Sequence, residues 1–473
     1  MNGPPLLVCD AFSLSLAGDY AMPAHAPPPA LWISILACLP FVLLLGTIAL
    51  APLLEKTKHA WHKNRTQWLV AGTLGLLGAG AHLLLRHEAH SLLHALAEYL
   101  AFVSVLAALY AASGGIHITG AIAGYPTTNA LLLAVGAVLA SLIGTTGASM
   151  LLIRPLLRAN ADRKHKTHIF VFFIFIVSNC GGLLTPMGDP PLFIGFLRGV
   201  PFFWTSAHLL KPWLLTNGLL LALFGALDTR IFLREAMITR GRMLKAVAKV
   251  EHRLHVRGWQ NVGLLLLVPA IMVLCGNWLQ PALAPRLGEA NAGMLSQVIQ
   301  AVLFAGIAAL SVKTATAALG HEARFSWHPI QEVGALFLGI FLAMVPAMAL
   351  LHDVAADLPL SAPWHYFFAT GSLSAILDNA PTYAAFGELA CAKMNLAGWS
   401  DLALHAPRLL AGISCGAVFC GALTYIGNGP NFMVKSVCES HHVKMPSFFG
   451  YLLWSNLFLG PVLLVVAWVF FGA

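Results

Sequence analysis

The densest chemistry in the sequence is the run Ser178-Asn179-Cys180-Gly181-Gly182-Leu183-Leu184-Thr185-Pro186-Met187-Gly188-Asp189-Pro190-Pro191. Ser178, Asn179 and Thr185 place neutral oxygens beside one carboxylate, Asp189, with apolar sequence on both sides. The glycines and prolines end one helical stretch and start another, which leaves unwound backbone between them. Free carbonyls there, with hydroxyl and amide oxygens, suit a hard cation. Asp189 is the only acid between Asp162 and Asp228. A carboxylate in such surroundings costs on the order of a few kcal/mol unless it is paired, protonated or ion-bound. Two compatible roles are open to it: ion ligand, and N-cap of a helix that starts at Pro190.

A second acid stands in Ser374-Ala375-Ile376-Leu377-Asp378-Asn379-Ala380-Pro381-Thr382. Asn379 and Thr382 add neutral oxygens to Asp378, and the apolar flanks argue for a buried tip, although Asp-Asn-x-Pro is also ordinary turn chemistry. Glu388 reads either as a relay acid or as a residue nearing an interface. Thr424-Tyr425-Ile426-Gly427-Asn428-Gly429-Pro430-Asn431 repeats the first run without an acid. Gly182, Thr185, Gly188 and Pro191 match Gly421, Thr424, Gly427 and Pro430 at a constant offset of 239, and Asn428 falls opposite Asp189. Thr145-Thr146-Gly147-Ala148-Ser149 matches Asp378–Thr382 at an offset of 233. Glu98 and Glu332 lie near the ends of apolar runs and read as interface residues; His82, His94 and His117 read as packing or interface residues.

The elements that must hold these residues are membrane helices. Of 473 residues 58% are apolar and 10% charged, against roughly 25% charged in a soluble domain. That excludes a soluble enzyme, a nucleic-acid binder and a disordered chain. Continuous apolar runs occupy about 31–54, 66–85, 92–113, 212–230, 259–280, 294–312, 329–351 and 446–472. Four more, 129–157, 169–200, 364–395 and 408–434, are broken by Gly, Pro, Asn, Asp, Ser and Thr. Backbone breaks in lipid are tolerated only inside the protein or beside water. The eight cysteines show no ligand spacing and read as packing residues. No metal-cluster or nucleophile–base motif marks an enzyme, and no cofactor is implied.

Twenty-one of the 27 Lys and Arg fall in a few loops, around Lys56–Arg65, Arg154–Lys166, Arg230–Arg257, Lys313–Arg324 and Lys435–Lys444. All of these loops are cytoplasmic under the positive-inside rule if 129–157 and 364–395 are re-entrant hairpins and 169–200 and 408–434 cross once as broken helices. The fold class is then an all-α polytopic membrane protein of two inverted repeats, 31–230 and 259–473, each with one re-entrant hairpin and one broken helix. A basic linker, 231–258, joins them. Residues 1–30 lack a basic n-region, carry Pro27–Pro29, and read as an irregular leader rather than a cleaved signal peptide. Inverted repeats with a midplane site belong to secondary transporters.

Ser178–Pro191, Leu377–Thr382 and Thr424–Asn431 resemble the ArsB/NhaD branch of the ion transporter superfamily, with NhaD-type sodium/proton antiporters and citrate-transporter-like proteins as the nearest kinds. The resemblance runs from about 31 to 473. It implies a scaffold part and a transport part in each half, a homodimer, elevator-type movement and a bacterial-type inner membrane. The dicarboxylate members resemble one another in Ser-Asn-Thr tips, which this chain lacks; an acidic tip suits a cation. The reading is exchange of Na⁺ or Li⁺ for H⁺, with Na⁺ at Asp189 and Asp378. Ser178, Asn179, Thr185, Asn379, Thr382, Thr424, Asn428 and Asn431 supply oxygens, and Thr145, Thr146 and Ser149 form the other tip. A sodium-coupled carboxylate symporter and an arsenite-type permease are the alternatives.

Overall fold

The computed structural model describes residues 30–51, 63–119, 123–238, 255–319 and 327–472, with 54, 57, 60 and 61. All but Ala30 of the expected leader, 239–254 of the basic linker, Lys56, Lys58, Arg324 and Cys9 lie outside the described residues. The described chain is overwhelmingly helical. In order, α1 spans Leu31–Leu50, α2 Asn64–Arg86, α3 His90–Gly114, α4 Pro126–Ile143, α5 Thr145–Ala159, α6 Thr167–Ile176, α7 Pro190–Leu197 and α8 Trp204–Ile238. The second half holds α9 Trp259–Leu274, α10 Gln280–Leu287, α11 Glu289–Leu319, α12 His328–Val354, α13 Pro363–Ser374, α14 Asn379–Lys393, α15 Trp399–His405, α16 Pro407–Cys420, α17 Gly429–Ser440 and α18 Phe448–Val466.

The all-α class stands, with one small addition. A three-residue strand β1, His117–Thr119, pairs antiparallel with β2, His255–Arg257, and so ties the segment after α3 to the start of α9. Among the described residues, ten helical stretches are long and apolar enough to cross a membrane, or eleven if the bent pair α15–α16 counts as one. The apolar run at 212–230 is the middle of a longer helix. At 35 residues, α8 is about 50 Å long at 1.5 Å per residue, well beyond a hydrocarbon core of about 30 Å.

The helices pack as two groups. In the first, α1 and α2 lie on α12, and α3 lies on α11 and α12, with α9 and α10 alongside α11. In the second, α4 pairs with α5, α13 with α16, and α14 with both α7 and α16, while α8 packs on α4 and α18. The groups meet where α3 touches α5 and α7, and where α12 touches α14. At that seam Phe102 of α3 stacks on Phe337 of α12 with ring centroids 4.6 Å apart, and lies 6.3 Å from Phe193 of α7.

All four interrupted runs are broken within the second group. α4 and α5 meet at the single residue Gly144, whose φ of 82° is a left-handed value that a β-carbon disfavours. α6 ends at Ile176, a short 3-10 turn fills Cys180–Leu184, and α7 begins after extended residues. α16 runs into a 3-10 turn at Gly421–Leu423 before α17. A β-carbon on Gly182 would lie 2.8 Å from the Gly188 carbonyl oxygen, and one on Gly427 would lie 2.6 Å from that of Gly421. Backbone approach that close explains the glycines at 182, 188 and 427, while at Gly421 the corresponding distance is a looser 3.3 Å.

Candidate functional site

Asp189 follows the first break in extended backbone, φ −146° and ψ 144°. Pro190, at the first helical position, has no N–H to offer it, and the Asp189 side chain makes no capping bond to α7. It turns instead to three other elements. Thr145 Oγ1, at the start of α5, donates to Oδ1 at 2.8 Å; Asn428 Nδ2, before α17, donates to the same oxygen at 3.2 Å. Asn379 Nδ2, at the start of α14, donates to Oδ2. The carboxylate is 1% exposed, so both hairpin tips and the second break converge on one buried charge.

A chain of amides extends the site. Asn428 Nδ2 also lies 3.1 Å from Asn179 Oδ1 and 3.2 Å from the Ser178 carbonyl. Asn179 Nδ2 donates to Asn431 Oδ1 at 2.6 Å, and Asn431 Nδ2 donates to the carbonyls of Gly421 and Thr424 at 2.8 and 2.9 Å. Ser149 and Ser178 share a hydroxyl hydrogen bond of 2.9 Å. One oxygen is left over: Asn379 Oδ1 is buried without a hydrogen-bond partner. It sits on the same amide that donates to Asp189, and a buried unpaired acceptor is where a donor or cation would be stabilised most.

The remaining expected residues have local roles. Asp378 is the N-cap that Asp189 is not: its Oδ1 accepts from the Ala380 N–H at 3.2 Å, and the residue is half-buried. Thr382 Oγ1 donates to the Asp378 carbonyl at 3.0 Å. Thr185 Oγ1 donates to the Ser141 carbonyl, and Thr424 Oγ1 to the Ala375 carbonyl at 2.5 Å, so each threonine ties a break to the hairpin of its own half. Thr146 is half-buried and, with Tyr110, Met187, Ile330 and Val333, lines a cavity of about 60 Å³ beside the first tip. Small-molecule pockets begin near 300 Å³.

The expectation of free backbone carbonyls at the breaks is corrected for most of them. Trp213 Nε1 donates to the Gly181 carbonyl at 3.0 Å, Asn217 Nδ2 to that of Cys180 at 3.3 Å, and Thr205 and Ser206 to that of Leu184 at 2.9 and 2.6 Å. α8 thus satisfies the first break. α18 does the same for the second, through Tyr451 Oη to Ala422 at 2.8 Å and Ser455 Oγ to Leu423 at 2.7 Å. The oxygens left for an ion therefore come chiefly from side chains.

Sequence reasoning missed the basic partners. Glu98 was expected at an interface but is 1% exposed and paired with Arg198; Glu332, half-buried near the start of α12, accepts from the neutral Gln67 at 2.7 Å. Glu388 is also bonded to Arg198, at 2.5 Å. Asp228 is buried with Arg163 at 2.5 Å, His168 at 2.9 Å and Asn129 at 3.0 Å. Only the position of Arg198, shortly after Asp189 in an apolar run, hinted at such pairing. The seven described cysteines are free and buried.

Compared with known families, residues 31–471 match the family described as "Putative citrate transport". No curated protein matches the chain.

Proposed function

Since the chain belongs to this citrate-transport family over nearly its whole length, we propose that it is a secondary active transporter exchanging Na⁺ (or Li⁺) for H⁺, with Asp189 as the shared site. The observation that carries the reading is the set of partners around Asp189: one buried carboxylate, two amides and a hydroxyl, with no basic side chain among its hydrogen-bond partners in the described residues. A cation or a proton neutralises such a centre, whereas a carboxylate substrate adds repulsion to it. The nearest basic residue along the chain, Arg198, is engaged by Glu98 and Glu388. A Na⁺ ion would take Asp189 and the unpartnered Asn379 Oδ1, with Asp378 adding negative charge from the same hairpin tip.

The paired geometry of the two breaks supports inverted repeats, and the hairpins α4–α5 and α13–α14 then enter and leave on one side. The two helix groups are the scaffold and transport parts of an elevator, in a homodimer of the ArsB/NhaD kind with its basic loops cytoplasmic. The family description favours one second reading, a sodium-coupled citrate symporter. Uptake of labelled Na⁺ and labelled citrate into proteoliposomes, with and without a pH gradient, separates the two. Proton-driven Na⁺ movement without citrate supports exchange; citrate uptake that requires Na⁺ sinks it.

A further inference from the structure

Arg198 closes α7 and meets acids from both helix groups. Its Nε and Nη2 donate to Glu98 Oε1 and Oε2 at 3.1 and 3.2 Å, a two-pronged pairing with α3. Its Nη1 donates to Glu388 Oε1 of α14 at 2.5 Å. Trp399 Nε1 donates to that same Glu388 oxygen at 2.9 Å, and the guanidinium carbon lies 5.6 Å from the Trp399 ring centroid. His94, one turn before Glu98, approaches it at 3.6 Å. Arg198 and Glu388 belong to the second group, and so does Trp399, whose helix α15 packs on α14 and α16, so the guanidinium is held there whether or not Glu98 is present. Glu98 belongs to the first.

We infer that the Glu98–Arg198 fork is a latch between the two helix groups: it holds the present arrangement, and relative movement of the groups must break it. The inference rests on the reading that the groups move against each other. The chemistry suits a latch better than a fixed strut. A forked guanidinium–carboxylate pair is directional and lost within a small displacement. When it opens, Arg198 keeps Glu388 and Trp399, so no buried cation is stranded, and His94 remains beside Glu98. The heavy penalty for breaking a buried pair is thereby reduced to a step that a transport cycle can cross.

The test reads proximity across the seam. Gln297 Nε2 of α11 lies 3.2 Å from the Leu197 carbonyl of α7, next to the latch. In the full chain carrying Leu197→Cys and Gln297→Cys, oxidation by copper phenanthroline reports how often the groups are docked. Adding Glu98→Gln should slow disulfide formation about tenfold, the effect of losing a charge-assisted fork. Glu388→Gln should leave the rate within about twofold, because its bonds lie inside one group. Glu98→Asp, which keeps the charge and shortens the reach, should fall between and serves if Glu98→Gln is not monodisperse on size exclusion. Equal rates in all four proteins, or equal slowing by Glu98→Gln and Glu388→Gln, overturn the latch. The readout needs no transported ion. Slowing by Glu98→Gln in a chain whose wild type moves no Na⁺ would therefore sink the exchange reading and leave the latch standing.

Discussion

Asp189 and Asn428 stand at matching points of the two broken helices, with nearly the same backbone: φ −146° and ψ 144° against φ −153° and ψ 139°. Neither side chain caps the helix that follows it. Each break is closed by a pair of glycines, tied to its own hairpin by a threonine, and covered by a long helix that satisfies its carbonyls. With the backbone at the two positions so alike, the difference at the site itself is chemical. The first half presents a carboxylate and the second an amide that donates to it. The backbone is alike at the two positions; a single charge tells them apart.

The sharpest way to break that comparison is to make the halves chemically alike. Asp189→Asn should reduce Na⁺-coupled proton movement in proteoliposomes to background, a loss of about a hundredfold or more, since no charge remains to be neutralised. The variant should elute as wild type does. Exchange at near-normal rates would mean that the charge of Asp189 is not what the ion reads. Removing the partner instead tests how far the second half contributes. Asn428→Ala deletes one hydrogen bond to a buried carboxylate, of about 2 kcal/mol, and should weaken apparent Na⁺ affinity by about tenfold to a hundredfold.

The supporting helices sharpen the comparison through stability. Leu423 O receives one α18 hydroxyl, whereas Leu184 O receives two from α8. Ser455→Ala should therefore cost about 1–2 kcal/mol, and Ser206→Ala about 0.5 kcal/mol or less, because only the former strands a carbonyl. Thermal unfolding in detergent checks this, and equal shifts would contradict it. The smallest effect belongs to Asp378→Asn. As an N-cap, Asp378→Ala should cost about 1 kcal/mol and Asp378→Asn almost nothing. Exchange by Asp378→Asn should fall less than that of Asp189→Asn; a full loss would make Asp378 an ion ligand.

Much of this is legible in the sequence. The four broken runs, 129–157, 169–200, 364–395 and 408–434, are where the helices break, because Gly, Pro and Asn act locally on the backbone. The offset pairing of Gly182 and Gly188 with Gly421 and Gly427 proved to be a pairing of local geometry. The two aspartates are another matter. For Asp189 binding and capping were both open as compatible roles, and for Asp378 the apolar flanks favoured a buried tip over a turn. The structure gives the capping bond to Asp378 and the converging amides to Asp189. A cap lies two residues from its partner, but local sequence could not tell which acid would be claimed by distant side chains first.

The sequence by itself determined the solvent, the breaks and the candidate oxygens, since charge scarcity, apolar length and helix-breaking residues act over a few turns of chain. Tertiary structure alone decided which oxygens meet. Thr145, Asn379 and Asn428 come from segments separated from Asp189 by 44, 190 and 239 positions. Glu98 and Arg198 are 100 apart. Such partnerships depend on how helices pack, and packing is set by the summed contacts of whole faces rather than by any motif.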